Sequence, residues 1–302
     1  MPAPQTILIN GATGFLGSHL ARAWVRDGHR VAILKRRSSK LDRLASVLDQ
    51  LQCFDINDGV EAPFKVCGHI DAVVHAATCY GRGGETPLQV FEANTAFPLR
   101  LLEAATFFNT DTFFNTDTIL YKYLNAYALS KNHFAEWGQS YGDASRIRFL
   151  NIRLEHMYGA GDDASKFTTH VIKSCLANVP ELKLTAGEQR RDFIYIDDVL
   201  SAYSMLLEAH GRLSKNFIAF GLGSGQAVRI REFVELAHRL SQSRTELKFG
   251  ALPYREGEIM ESAADIRALE RLGWRPSFSL EQGLAHAIEA ENDQMSDAST
   301  TA

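Results

Sequence analysis

Asn125-Ala-Tyr127-Ala-Leu-Ser-Lys131 sets a phenol and an ammonium four residues apart, on one face of a helix. A phenol with a pKa near 10 exchanges protons poorly at neutral pH unless a cation favours its phenolate. Lys131 would supply that cation and could also hold a ribose. Thr116, just upstream in Asn115-Thr-Asp-Thr118, would orient a carbonyl oxygen through its hydroxyl. The trio suits delivery of one proton to a carbonyl, the acid–base half of a hydride transfer. Tyr-x-x-x-Lys alone is common on surface helices, so the pair gains meaning only beside a second motif.

That motif is Asn10-Gly-Ala-Thr-Gly-Phe-Leu-Gly17, between a short apolar run and a helical stretch. Glycines there permit a tight turn and close backbone approach to a pyrophosphate, and the helix N-terminus offers unpaired N–H groups. The predicted contacts are Gly11, Thr13, Gly14, Phe15, Leu16 and Gly17. The spacing is Gly-x-x-Gly-x-x-Gly rather than Gly-x-Gly-x-x-Gly. At the end of the next strand an NAD site would place a carboxylate for the ribose hydroxyls. This chain has Lys35-Arg-Arg-Ser-Ser-Lys40 instead. Guanidinium forks at Arg36 and Arg37 suit a 2′-phosphate, so NADP(H) is the expected cofactor. Asp55, with Ile56 beside it, is placed either to meet the adenine or to serve as a strand-end turn residue.

The elements that must position these groups alternate. Strands are expected at Thr6–Asn10, Val31–Leu34, Ala72–His75, Phe113–Asn115 and Arg148–Arg153, with helices near Leu16–Asp27, Leu88–Thr106 and Ala126–Tyr141. Short continuous apolar runs alternating with helices predict an α/β, doubly wound parallel sheet. Residues 1–153 and 192–222 would form this dinucleotide-binding domain. Residues 154–191 and 223–292 would form a smaller α/β substrate lobe ending in a helix at Leu280–Glu291, followed by a flexible tail, 293–302. Phe107-Phe-Asn-Thr-Asp-Thr112 repeats at once as Phe113-Phe-Asn-Thr-Asp-Thr118. Only one copy can occupy the strand, and the second, nearer Tyr127, is the better fit.

The chain has 302 residues, 45% of them hydrophobic, and a formal charge of −4, which gives no general attraction for nucleic acid or anionic membrane. Its four cysteines lack metal-ligand spacing, and no metal is expected; they read as reduced thiols of a cytoplasmic protein. No stretch approaches the ~18 apolar residues of a membrane span.

Taken together, these segments resemble the extended short-chain dehydrogenase/reductase family of nucleotide-sugar epimerases, dehydratases and reductases. Further matching segments are His75-Ala-Ala77, Asn94-Thr-Ala96, Arg153, Tyr158-Gly-Ala-Gly161, Arg191-Asp-Phe-Ile-Tyr-Ile-Asp197, Gly221-Leu-Gly-Ser-Gly225 and Leu272-Gly-Trp274. The resemblance implies a Rossmann-type fold, cofactor contacts at Ala76 and Ala77, and a supporting role for Asn94 in the active-site hydrogen bonds. It also implies a homodimer through the Leu88–Thr106 and Ala126–Tyr141 helices, and a nucleotide-sugar substrate held through His156, Arg191 and Arg255. Salt bridges of the two arginines to Asp192 or Glu258 are the alternative. The segments Asn115–Thr118, Tyr127–Lys131, Arg153–Tyr158 and Asp162-Asp163 look most like CDP-linked deoxyhexose 4-ketoreductases, of the CDP-abequose or CDP-paratose synthase type. Dehydratases of the family resemble one another in an Asp-Glu pair after the catalytic threonine; here Asp117 is followed by Thr118. The expectation is therefore reduction of a 4-keto-6-deoxy nucleotide sugar by NADPH. The competing readings are an NAD-retaining epimerase or dehydratase and a non-catalytic NADP-binding regulator.

Overall fold

A computed structural model describes residues 3–300. In chain order the elements are β1 (Thr6–Asn10), α1 (Phe15–Arg26), β2 (Arg30–Lys35), β3 (Gln52–Asp55), α2 (Ala62–Cys67), β4 (Ala72–His75), α3 (Pro87–Phe91), α4 (Phe97–Phe107), β5 (Thr112–Thr118), α5 (Ala126–Asp143), β6 (Arg148–Leu154), β7 (His156–Tyr158), α6 (Phe167–Leu176), β8 (Glu181–Lys183), β9 (Arg190–Tyr195), α7 (Ile196–Ala209), β10 (Phe217–Leu222), β11 (Ala227–Arg229), α8 (Ile230–Leu240), β12 (Glu246–Lys248), α9 (Arg267–Glu270) and α10 (Leu280–Thr300). They divide between two compact units, Met1–Leu154 with Ala202–Phe220, and Glu155–Ser201 with Gly221–Ala302.

The first unit carries a seven-stranded sheet in the order β10-β6-β5-β4-β1-β2-β3, with every pairing from β3 to β6 parallel. Strands β1 and β4 are buried along their whole length, which is why they read as unbroken apolar runs. Leu8, Val73, Phe113 and Phe149 pack against Leu101, Leu102 and Phe134 of α4 and α5. The second copy of the repeat forms β5, while the first finishes α4 and turns at Asn109, whose φ is +57°.

The helix expected over Leu88–Thr106 is broken. Between α3 and α4 the chain makes a π-helical turn, Glu92–Ala96. Pro98 has no N–H to donate to the Asn94 carbonyl, so the ordinary ladder cannot run through.

The second unit holds a three-stranded sheet, β11-β9-β7, and a parallel pair, β12-β8, over a core that includes Phe193, Phe233, Val234, Leu284 and Ala287. The expected domain boundary at residue 192 is corrected to 202. Residues 192–195 belong to β9, which pairs with β7 and β11 rather than with the large sheet. Over most of the expected tail, 293–302, the backbone is helical. Helix α10 continues to Thr300, since no glycine or proline follows Gly283 to stop it. The tail's last two residues lie outside the described ones. No helix among the described residues is long and apolar enough to cross a membrane.

Candidate active site

The glycine loop joins β1 to α1. Gly11 takes φ +90°, and a Cβ there would lie 2.3 Å from the Ala77 nitrogen. A Cβ at Gly17 would lie 2.2 Å from the Gly11 carbonyl oxygen. These two glycines are required by backbone packing: the loop sits on Ala76-Ala77, whose amides both donate to the Asn10 carbonyl, and α1 sits on the loop. Gly14 differs. It is exposed, caps α1 with no side-chain hydrogen bond, and its Cβ would meet only the Gly11 oxygen at 3.3 Å. The first turn of α1 therefore has no side-chain cap for its N–H groups. Thr13 is half-buried beside this turn, while Phe15 and Leu16 are buried core residues of α1.

At the end of β2, Arg36 and Arg37 are exposed. Arg37 Nε lies 3.6 Å from Asp55 Oδ2, and Asp55 Oδ1 accepts from the Asn57 N–H at 2.9 Å. Of the two roles open to Asp55, the turn residue is the one seen, and Ile56 opens the short helical turn it caps. Arg37 is drawn toward that carboxylate, which leaves Arg36 as the guanidinium at the strand end without an ion pair among the described residues.

Helix α5 begins at Asn125, whose side chain accepts from the Ala128 N–H at 2.8 Å. The cap sets the register that places Tyr127 and Lys131 one turn apart. Lys131 is fully buried and donates from Nζ to the Thr116 carbonyl oxygen at 2.5 Å. Burial holds its pKa down at about 8, partly offset by Asp117. Burial also pushes the Tyr127 phenol well above its ordinary value, reinforced by Tyr80; the Thr118 hydroxyl and Arg82 work in the opposite direction. Lys131, expected to lower this phenol, instead spends its Nζ on the Thr116 carbonyl.

The threonine is corrected too. Side chains alternate along β5. Thr112, Phe114 and Thr116 face His210 and Tyr203, with the Thr116 hydroxyl 2.7 Å from the Tyr203 oxygen. Phe113 and Asp117 lie on the α5 side. The threonine that acts on the Tyr127 phenol, favouring its ionised form, is Thr118, the last residue of the strand, where the chain leaves the sheet. The apolar run in the sequence predicts a strand that ends at Asn115. A strand carried on to Thr118 would have put the later threonine at the carboxyl end, where sites in such sheets lie.

Two further groups were not anticipated. Tyr80 packs against Tyr127 with ring centres 5.0 Å apart and planes tilted by 39°, and the Arg82 guanidinium sits 5.1 Å from the Tyr80 ring centre. Asn94 fixes the loop that carries them. Its amide nitrogen donates to the Cys79 carbonyl at 2.8 Å and to Ser130 Oγ at 3.0 Å, while its oxygen accepts from the Cys79 N–H at 2.8 Å. Ser130 Oγ in turn donates to the Tyr127 carbonyl at 2.9 Å.

In the second unit His156 lies 3.3 Å from a Glu155 carboxylate oxygen and edge-on to Phe193. Arg191 is buried, ion-paired with Glu258 and donating to the Arg190 carbonyl at 2.8 Å. Of the two alternatives for Arg191 the structure displays the salt bridge, with Glu258. Asp192 is engaged elsewhere, accepting from Ser224 N and Oγ, Gly225 N and Ala264 N at 2.6–3.1 Å. Arg255 is exposed.

Residues 7–217 match the NAD dependent epimerase/dehydratase family. Among curated proteins the chain is 35% identical over 290 residues to a CDP-abequose synthase of Salmonella muenchen, covering 93% of this chain and 96% of the relative. It is 31% identical over 293 residues to the CDP-abequose synthase of Salmonella typhimurium, covering 94% and 98%. Among solved structures, UDP-glucose 4-epimerase of Thermotoga maritima with UDP-glucose superposes with a TM-score of 0.84 at 20% identity, covering 96% and 99% of the two chains. The Thermus thermophilus UDP-glucose 4-epimerase complex with NAD gives 0.81 at 21%, covering 95% and 98%. At these identities the two structures bear on the fold alone.

Proposed function

The chain belongs to the NAD dependent epimerase/dehydratase family, and from that premise we propose that it reduces a 4-keto-6-deoxy nucleotide sugar, carried on CDP, at the expense of NADPH. The residues present fit a nicotinamide dinucleotide: an uncapped helix start above two glycines that backbone packing requires, and a basic strand end. Bound there, the nicotinamide supplies the hydride. The exposed Arg36, with Arg37 shared between Asp55 and solvent, supports a 2′-phosphate, although the family name and the Thermus complex refer to NAD.

What carries the choice of reaction is that no Asp-Glu pair follows either threonine: Thr116 is followed by Asp117-Thr118, and Thr118 by Ile119-Leu120. Elimination of water needs an acid and a base facing the sugar. Here Asp117 is turned into the sheet with only 6% of its surface exposed, and its neighbour is a threonine, which has no carboxylate basicity. Tyr127, with its pKa raised, stays protonated at neutral pH and can give its proton to a carbonyl oxygen, while Thr118 orients that oxygen. Lys131 holds a ribose hydroxyl. In the second unit, Arg255 and His156 are the groups we assign to the nucleotide sugar, and Arg191 serves it only if it leaves Glu258.

We also infer a homodimer through α3 to α5, where Leu88, Phe91 and Trp137 are exposed. Four unpaired cysteines suit a reducing cytoplasm. Incubation with a panel of 4-keto-6-deoxy nucleotide sugars and NADPH in deuterium oxide tests the assignment. The expected result is stoichiometric NADPH consumption and no enzyme-dependent deuterium at C3 or C5 of the product. Deuterium at C5, or conversion of a 4-hydroxy sugar without net NADPH use, would replace the reductase with an epimerase or dehydratase.

A further inference from the structure

Beneath Tyr127 the sheet carries a polar rung. Asn10, His75, Asn115 and Asn151 occupy paired positions on β1, β4, β5 and β6, and all four are buried. His75 Nδ1 lies 2.8 Å from Asn10 Oδ1. Asn115 Nδ2 donates to Asn151 Oδ1 at 2.7 Å, and Asn151 Nδ2 donates to Asp117 Oδ2 at 2.8 Å. The amide dipoles on β5 and β6 thus run head to tail toward one carboxylate. That carboxylate is otherwise poorly served. Asp117 Oδ1 is buried without a hydrogen bond among the described residues. Burial pushes its pKa up, and the charge that most opposes this is the buried Lys131, whose Nζ is bonded to the carbonyl of the residue just before Asp117.

We propose that Asp117 is a positioning residue for Lys131: a buried counter-charge, held by the Asn115–Asn151 pair, that fixes the ammonium against the Thr116 carbonyl. It does not touch substrate. It keeps Lys131 charged and in place, so that the lysine can hold a cofactor ribose one turn from Tyr127. This rests on the reading of Tyr127 and Lys131 as the active site, but not on the reaction assigned to it. The charged and titratable groups around the pair are His75 from β4, held neutral by burial, Arg153 from β6, which acts on Asp117, and Tyr127 from α5 itself. None of these replaces the carboxylate as the partner of Lys131.

The sign of the effect is fixed. Burial lowers the Lys131 pKa to about 8 and Asp117 raises it, so removing the carboxylate charge moves it further down. The test is NADPH affinity by fluorescence titration between about pH 6.5 and 10, which requires no turnover, for the parent, Asp117→Asn and Lys131→Met. The parent should lose affinity as pH rises through about 8. Asp117→Asn, isosteric and able to keep the Asn151 donor, should lose it at a pH lower by about one unit or more, with unchanged thermal stability or a gain. Lys131→Met should show no such limb. Should Asp117→Asn fail to fold, Asn151→Ala carries the same test, with a smaller shift in the same direction. A limb at the same pH in the folded Asp117 variant, or none in the parent, overturns the proposal. A failed ketoreductase assay leaves this measurement standing, so the two failures are distinguishable.

Discussion

Burial decides what Tyr127 can do. A buried phenol in contact with Tyr80 holds its proton, which suits an acid acting on a ketone. Tyr127→Phe should keep NADPH binding and lose most turnover, about 10²–10⁴-fold, in steady-state assays paired with cofactor titration. Thr118→Val should cost far more activity than Thr116→Val, because Thr118 acts on the phenol while the Thr116 hydroxyl is spent on Tyr203. The reverse ranking would return the catalytic role to Thr116. At the cofactor end, Arg36→Asp should erase or invert a preference for NADPH over NADH, since each charge-assisted hydrogen bond to a phosphate is worth ~1.5–3 kcal/mol. Equal affinity of the parent for both cofactors would remove the case for NADP(H).

Elements set the limits within which those side chains work. The start of α1 must approach the loop that precedes it, so Gly17→Ala forces a methyl group to within 2.2 Å of a carbonyl oxygen. We expect a loss of about 1–3 kcal/mol in denaturant unfolding together with impaired NADPH binding. Gly14→Ala has an ordinary backbone conformation and open surroundings, so it should fold normally and weaken only the cofactor. In the second unit Asp198 accepts from the backbone N–H groups of Ser277 and Phe278 at 2.7 and 3.2 Å, tying α7 to the approach to α10. Asp198→Ala should cost about 1.5–3 kcal/mol of stability in the same assay. Its neighbour in sequence, Asp197, forms no such bonds among the described residues and serves as the control.

For the molecule as a whole, association is the property the surface suggests most directly. Leu88, Phe91 and Trp137 are large apolar side chains left in water on helices that touch one another, α3 and α5. Trp137→Glu should convert a dimer to monomer in sedimentation velocity without altering the far-ultraviolet spectrum. A parent that sediments as a monomer would leave these residues without that role.

The glycine loop, the Tyr127–Lys131 spacing, the basic end of β2 and the alternation of strands with helices were all legible in the sequence. Each is contiguous, so local spacing fixes its geometry once the element type is known. The repeat was legible too, because only one copy lies next to the α5 segment. Tertiary structure alone decided which threonine serves Tyr127, where Asp117 points and what Arg191 holds. Those answers depend on partners distant in the chain: Tyr203 lies 87 residues from Thr116, Asn151 34 from Asp117 and Glu258 67 from Arg191. The boundary at residue 202 belongs to the same class. A short strand such as β9 reads alike in either sheet, and its pairing with β7 and β11 assigns it to the second unit.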